Sequence, residues 1–273
     1  MIYILYMLNY CLKKSTHIEE NNISENPDIL PVILTCPHDG DFVPADVPER
    51  EDPGCSERFT IIGDAHTTQL TNEIADNIYR LSTKHVYVEI GIIKRNRCDL
   101  NRRPECAYEK LPAHLKLPAK LCYYRYHDSI LTKIKEIQHQ NYFNHKLGML
   151  IDIHGFLSTK KHPADVIVGT ENGDTLKAAS QLNIDIKWDT KNGFLTWLKK
   201  KGYHTDPVEP GEDNENPEFT GGITVENSAK QVNFIGLQFE TASKIRSIES
   251  ERKKLAQDVA ASILKTLDLV KIS

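Results

Sequence analysis

The sequence predicts a three-layer α/β/α fold with a mixed, largely parallel central sheet. Short β-rich apolar runs alternate with stretches of helical periodicity from Ile29 onward. A second observation supports a single core. The chain has 273 residues and no visible internal repeat, so it is long enough to bury most of its apolar surface around one sheet.

The first strand is PVILTC, Pro31–Cys36, which ends at Pro37. A helix follows over 64–81, where Leu70, Ile74, Ile78 and Leu81 recur at helical spacing. HVYVEIGII, His85–Ile93, is the second strand. Ile130, Ile134 and Ile137 mark a second helix over 127–141. GMLIDIH, ADVIVG and NFIGLQFE supply strands at Gly148–His154, Ala164–Gly169 and Asn233–Glu240. Ile248, Leu255, Val259, Ile263 and Leu267 mark a long C-terminal helix, with Ser247 or Ser250 as its N-cap. The acidic, proline-rich stretch 204–219 reads as a long surface loop, a kind of segment that often carries function.

The N-terminus stands apart. Residues 1–12 are an apolar run too short to span a bilayer, and Lys13-Lys14 follow it rather than precede it, the wrong order for a signal peptide. Residues 1–28 are expected to form an N-terminal arm or leader, and 29–273 a single domain. Stable membrane insertion is not expected, and a cytoplasmic location is the default, with secretion or anchoring through residues 1–12 left open.

Composition excludes some functions. The formal net charge is −4, so no global basic field argues for nucleic acid. None of the six cysteines forms a CxxC pair or a zinc-finger spacing, so they are expected to be reduced thiols.

In open α/β sheets ligands bind at the carboxyl ends of strands, so polar residues just past the strands are the candidates. CPHDGD follows the first strand and places His38 three residues before Asp41, with Gly40 between them, a spacing that can aim an imidazole and a carboxylate at one cation. In LIDIHGF, Asp152 and His154 alternate and point to one face of a strand, where an Asp can fix the tautomer of a ligating imidazole. In LQFE, Gln238 and Glu240 form a polar face on a buried strand, costly unless paired or functional. Together these sites hold two His, a carboxylate and a separate Glu, the parts of a catalytic zinc centre. The run 94–104 carries Lys94, Arg95, Arg97, Arg102 and Arg103 against Asp99, and suits a small anionic ligand.

The motifs PHDGDFVP, GDAHTTQLTNEIA, DLNRRP, LIDIHG, FTGGITVEN and LQFE, in that order, resemble the N-formylglutamate amidohydrolase (deformylase) family. That family is similar in fold to the zinc carboxypeptidases and aspartoacylases, and the resemblance runs from about Pro31 to Arg246. It implies a phosphorylase/hydrolase-like fold and one zinc ion held by His38, Asp41 and His154, with Asp64 or His66 as alternatives to Asp41. It implies Glu240 as the general base. Asn101 and Arg102 then clamp a substrate carboxylate. Arg95 or Arg97 polarises the scissile carbonyl, with Arg97 taken as the catalytic one and Arg95 as substrate-binding. The implied reaction is hydrolysis of the amide in a small anionic N-acyl amino acid. Two other functions remain open at this point: a zinc carboxypeptidase acting on a peptide C-terminus, and a catalytically silent binding protein.

Overall fold

The computed structural model describes residues 29–270, apart from 53, 56, 109, 114, 142–146, 179–192 and 208–214. The expected arm over 1–28 and the middle of the loop 204–219 lie outside the described residues. In chain order the elements are β1 (Ile29–Cys36), α1 (Thr67–Ser82), β2 (His85–Ile90), α2 (Pro104–Ala107), α3 (Lys116–Asn141), β3 (Gly148–Phe156) and β4 (Val166–Gly169). They continue as α4 (Phe194–Lys200), β5 (Thr205–Asp206), α5 (Ile223–Ala229), β6 (Phe234–Ala242), α6 (Ser243–Arg246) and α7 (Glu249–Val270).

The strands form one sheet in the order β2-β1-β3-β6-β4-β5. β2, β1, β3 and β6 are parallel, β4 runs antiparallel to β6, and β5 is parallel to β4. This is the mixed, largely parallel sheet that the alternation of strands and helices predicts. Parallel neighbours need crossovers, which α1 and α3 supply from opposite faces.

Alternation along each strand sorts the side chains into the two outer layers. Val32 and Leu34 of β1, Ile151 and Ile153 of β3, and Leu237 and Phe239 of β6 pack under α1 and α7, against Leu70, Ile74, Ile78, Leu255, Val259 and Ile263. Ile33, Leu150 and Phe234 face the other way, onto Tyr123, Tyr126, Ile130 and Ile134 of α3 and Val225 of α5. The polar pairs Asp152/His154 and Gln238/Glu240 share the parity of Leu150 and Phe234, so they leave the α3 and α5 face at the carboxyl ends of their strands. Truncating a fully buried anchor such as Ile74 to Ala costs on the order of 2–5 kcal/mol.

Several expectations need correction. α3 begins eleven residues ahead of the expected start, at Lys116, because its first half packs with tyrosines rather than aliphatic residues. β5 falls inside the stretch read as loop, too short to leave a pattern. Leu81 and Ile248 are exposed, and Ile248 precedes α7. Cys55 and Cys106 are joined in a disulfide across a separation of 51 residues, against the expectation of reduced thiols. No spacing rule reveals this pair, because α2 brings Cys106 to the loop after β1 only in the folded chain. Cys36, Cys98 and Cys122 are buried and take no part in a disulfide. Among the described residues, no helix is long and apolar enough to cross a membrane.

Candidate metal centre and active site

β1 ends where Pro37 removes a ladder donor, and His38 follows immediately. The turn after it is held tightly. A Cβ on Gly40 would lie 2.4 Å from the Ile92 backbone, and one on Gly63 would lie 2.8 Å from the His38 carbonyl oxygen. Only glycine permits these approaches. The Asp64 N–H donates to the His38 carbonyl at 3.0 Å, and α1 starts just beyond, with His66 in the left-handed region. The loop from β1 therefore returns to its origin and lays Asp64 beside His38.

β3 brings His154 to the same point. His38 Nδ1 lies 3.1 Å from His154 Nδ1, and each lies 3.2 Å from Asp64 Oδ2. All three residues are buried. Three ligands of a tetrahedral zinc at about 2.0–2.1 Å stand about 3.3–3.4 Å apart, close to this triangle. The far nitrogen of each imidazole is already committed. His38 Nε2 donates to Asp99 Oδ1 at 2.7 Å, and His154 Nε2 donates to Asp152 Oδ2 at 2.8 Å. An ionised carboxylate only accepts, so each neutral ring turns a bare Nδ1 lone pair toward the triangle. Three acceptor atoms this close repel one another unless a cation lies between them. The donor set therefore fits a divalent metal.

Further groups hold these carboxylates. Asp152 accepts from Thr35 Oγ1 at 2.6 Å, its register neighbour on β1. Arg95 bridges the two acids on the other side, donating from Nε to Asp99 at 2.9 Å and from Nη1 to Asp64 at 3.3 Å. Burial alone would raise the Asp64 carboxyl. The hydrogen bonds to His154 and His38 and the Arg95 charge hold it well below the usual carboxylate range. Asp99 is likewise held low against its burial by Arg95 and His38. Burial works against a charged His154, yet Asp152 and Asp64 push it up to about 10. A proton on His154 thus answers, in the metal-free chain, the same need for positive charge.

Glu240 stands beside His154, its register partner across β3 and β6. It accepts from Gln238 Nε2 at 3.2 Å. Burial, reinforced by the Asp64 charge, pushes its carboxyl up to about 7 against the pull of His154, Arg95 and Arg246. A buried carboxylate of this strength is matched to proton transfer near neutrality.

No family model matches the sequence, and no curated protein matches it. Solved structures do match. The fold is similar to that of an N-formylglutamate amidohydrolase. That protein, from Ralstonia eutropha JMP134, is 14% identical with a TM-score of 0.56, over 90% of this chain and 95% of its own. A gene product of Agrobacterium tumefaciens is 15% identical with a TM-score of 0.59, over 87% of this chain and 89% of its own. At these identities the likeness is one of fold, and the chemistry must be argued from this chain's residues.

Of the residues picked from sequence, His38, His154 and Glu240 are brought together, and Asn101 borders them. Asn101 Nδ2 lies 3.1 Å from His154 Nε2 and 3.4 Å from Gln238 Oε1. The shorter, charge-assisted bond to Asp152 takes the imidazole proton, so the amide turns its hydrogens to Gln238. Asp41 is exposed and lies outside the triangle, where Asp64 stands. His66 does not join the triangle either. Arg95 is buried between carboxylates rather than open to a substrate. Arg97 reaches toward Glu49 at 3.7 Å. Arg102 donates to the Arg58 carbonyl from Nε and Nη2 at 3.2 Å each and to the Asn101 carbonyl at 2.8 Å.

Two residues of the site were not singled out by sequence. Asp99, met only as the lone acid of a basic run, holds His38. Arg246 donates to the carbonyls of Phe156, Thr241 and Ala65, tying the ends of β3 and β6 to the Asp64 loop. The signal for Asp99 was its position in the DLNRRP motif.

Proposed function

We propose that this chain is a metal-dependent amidohydrolase that cleaves the amide of a small N-acyl amino acid, with a zinc ion held by His38 Nδ1, Asp64 Oδ2 and His154 Nδ1. The observation that carries this reading is the close triangle of His38 Nδ1, Asp64 Oδ2 and His154 Nδ1, each imidazole anchored on a carboxylate through its other nitrogen. Zinc bound there supplies a Lewis acid for the carbonyl oxygen and water of lowered pKa, near about 7.

The chain's own residues supply the proton transfers. Glu240 accepts a proton from the attacking water at its carboxylate and passes it to the leaving nitrogen. The C–N bond breaks, and an acid and an amine leave. Gln238 orients Glu240 through its amide hydrogen bond. Asp99 and Asp152 hold the imidazoles in one tautomer and one orientation, so the site is formed before substrate arrives. Burial of all these groups excludes bulk water and strengthens each charge interaction.

A panel of N-acyl amino acids, assayed with chelated protein and after adding zinc back, tests the reading. Zinc-restored release of amine supports it. Turnover unaffected by stripping the metal contradicts it.

A further inference from the structure

Every arginine of the 94–104 run is already engaged. Arg95 serves Asp99 and Asp64, Arg97 faces Glu49, Arg102 serves backbone carbonyls, and Arg103 pairs with Glu226 and Glu57. Even the most exposed of these arginines, Arg103, is less open than Arg58 and Lys161 outside the run. We propose, building on the function above, that Arg58 and Lys161 form its subsite, and that the Glu218 side chain holds that place until the substrate carboxylate displaces it.

Two separate segments converge on Glu218. Arg58 Nη1, from the loop before α1, lies 3.3 Å from Glu218 Oε2. Lys161 Nζ, from the loop between β3 and β4, pairs with Oε1, and His162 Nε2 lies 3.3 Å from Oε2. Two fixed cations and an imidazole therefore share one carboxylate. The Arg58 and Lys161 side chains are 66% and 69% exposed, so a solute can reach them, whereas the metal triangle is buried.

The cluster is wired to the reaction centre on both sides. Phe219, next in sequence, offers its carbonyl to Gln238 Nε2 at 3.4 Å, and the same amide nitrogen donates to Glu240. The His162 ring packs edge-on to Phe219 at 5.1 Å and lies 6.3 Å from Phe156, two residues beyond His154. The Arg58 carbonyl accepts from Arg102, whose neighbour Asn101 borders His154. The two cations thus sit on loops that are bonded to residues bordering the site. Exchange of one carboxylate for another keeps the same charge-assisted bonds, so displacing Glu218 is cheap for an acid. A neutral amide cannot make the exchange. The subsite selects N-acyl amino acids that carry a free carboxylate.

The test uses zinc-loaded protein and two probes: N-formyl-L-glutamate, and the same molecule with both carboxylates converted to carboxamides. Wild type should favour the acid. Arg58→Ala and Lys161→Ala should each lower kcat/KM for the acid about 3- to 10-fold, and leave the diamide nearly unchanged, with melting temperature confirming folded protein. Glu218→Gln should lower KM for the acid, because the competing carboxylate is gone. Equal losses on both probes, no improvement in Glu218→Gln, or no preference in wild type each overturn the subsite. If zinc-loaded wild type hydrolyses neither probe, the proposed reaction fails, and calorimetric binding of the two probes to the same four proteins decides the subsite by the same criteria, with absent binding counting against it.

Discussion

His154 and Glu240 are register partners on adjacent parallel strands, and both are buried. Strand neighbours in register stand side by side on one face. The sheet itself therefore fixes the separation between an imidazole and a carboxylate, without help from a mobile loop. The pair below them, Asp152 and Gln238, repeats the relation one step back along the strands and supports each partner: Asp152 holds His154, and Gln238 holds Glu240.

Glu240→Gln should keep the fold and the metal and lose about 10²–10⁴-fold in kcat, because glutamine preserves volume but accepts no proton. Metal content, melting temperature and kcat measured on one sample check this. An active variant with lowered stability would make Glu240 a structural partner instead.

Asp152→Asn should weaken zinc binding about 10- to 100-fold while leaving the three ligand atoms in place. Asp152 is fully buried and is the acceptor that fixes His154 Nε2 as a donor. Competition against a chromogenic chelator reads the change. Unaltered affinity would mean that Asp152 does not control the tautomer.

Zinc affinity should rise with pH. His154 sits at about 10 in the metal-free chain, so zinc must displace a proton at neutral pH. Each displaced proton gives about tenfold in apparent affinity per pH unit, lost as pH falls. The sign for stability is the reverse. His154 is raised from 6.5, so in metal-stripped protein its contribution is full below about 6.5 and is lost as pH rises through about 10. Chelator competition at several pH values and thermal melts of stripped protein check both slopes. A flat zinc affinity would contradict the first.

Gly40→Ala should destabilise the chain by about 1–3 kcal/mol, because the new Cβ overlaps Ile92 backbone that cannot swing away. The His38 turn must shift, so zinc affinity should fall as well. Denaturant melts with and without zinc report both effects.

The sheet was legible because β-branched runs alternate with helical spacing, and because parity along β3 and β6 shows in the letters of LIDIHG and LQFE. His38, His154 and Glu240 were visible as polar residues at or just past strand ends. Asp64 was visible only as an alternative to Asp41. It lies at the far end of a loop, and what places it is a hydrogen bond to the His38 carbonyl and an ion pair to Arg95. Neither leaves a local pattern. The basic run suggested a ligand, but much of its charge faces inward. Arg95, together with Arg50 from the previous loop, surrounds Asp99. Composition counts such charges without showing where they point. The Cys55–Cys106 bond and the Glu218 cluster likewise join distant segments and could not be read from spacing.

The proposed function rests on one zinc ion held by His38, Asp64 and His154. Metal content of purified wild type, Asp64→Ala and Asp41→Ala tests it most directly, because the two acids compete for the same role and differ in burial. Wild type and Asp41→Ala should each carry about one zinc per chain, and Asp64→Ala should lose most of it. Zinc retained by Asp64→Ala and lost from Asp41→Ala would contradict it.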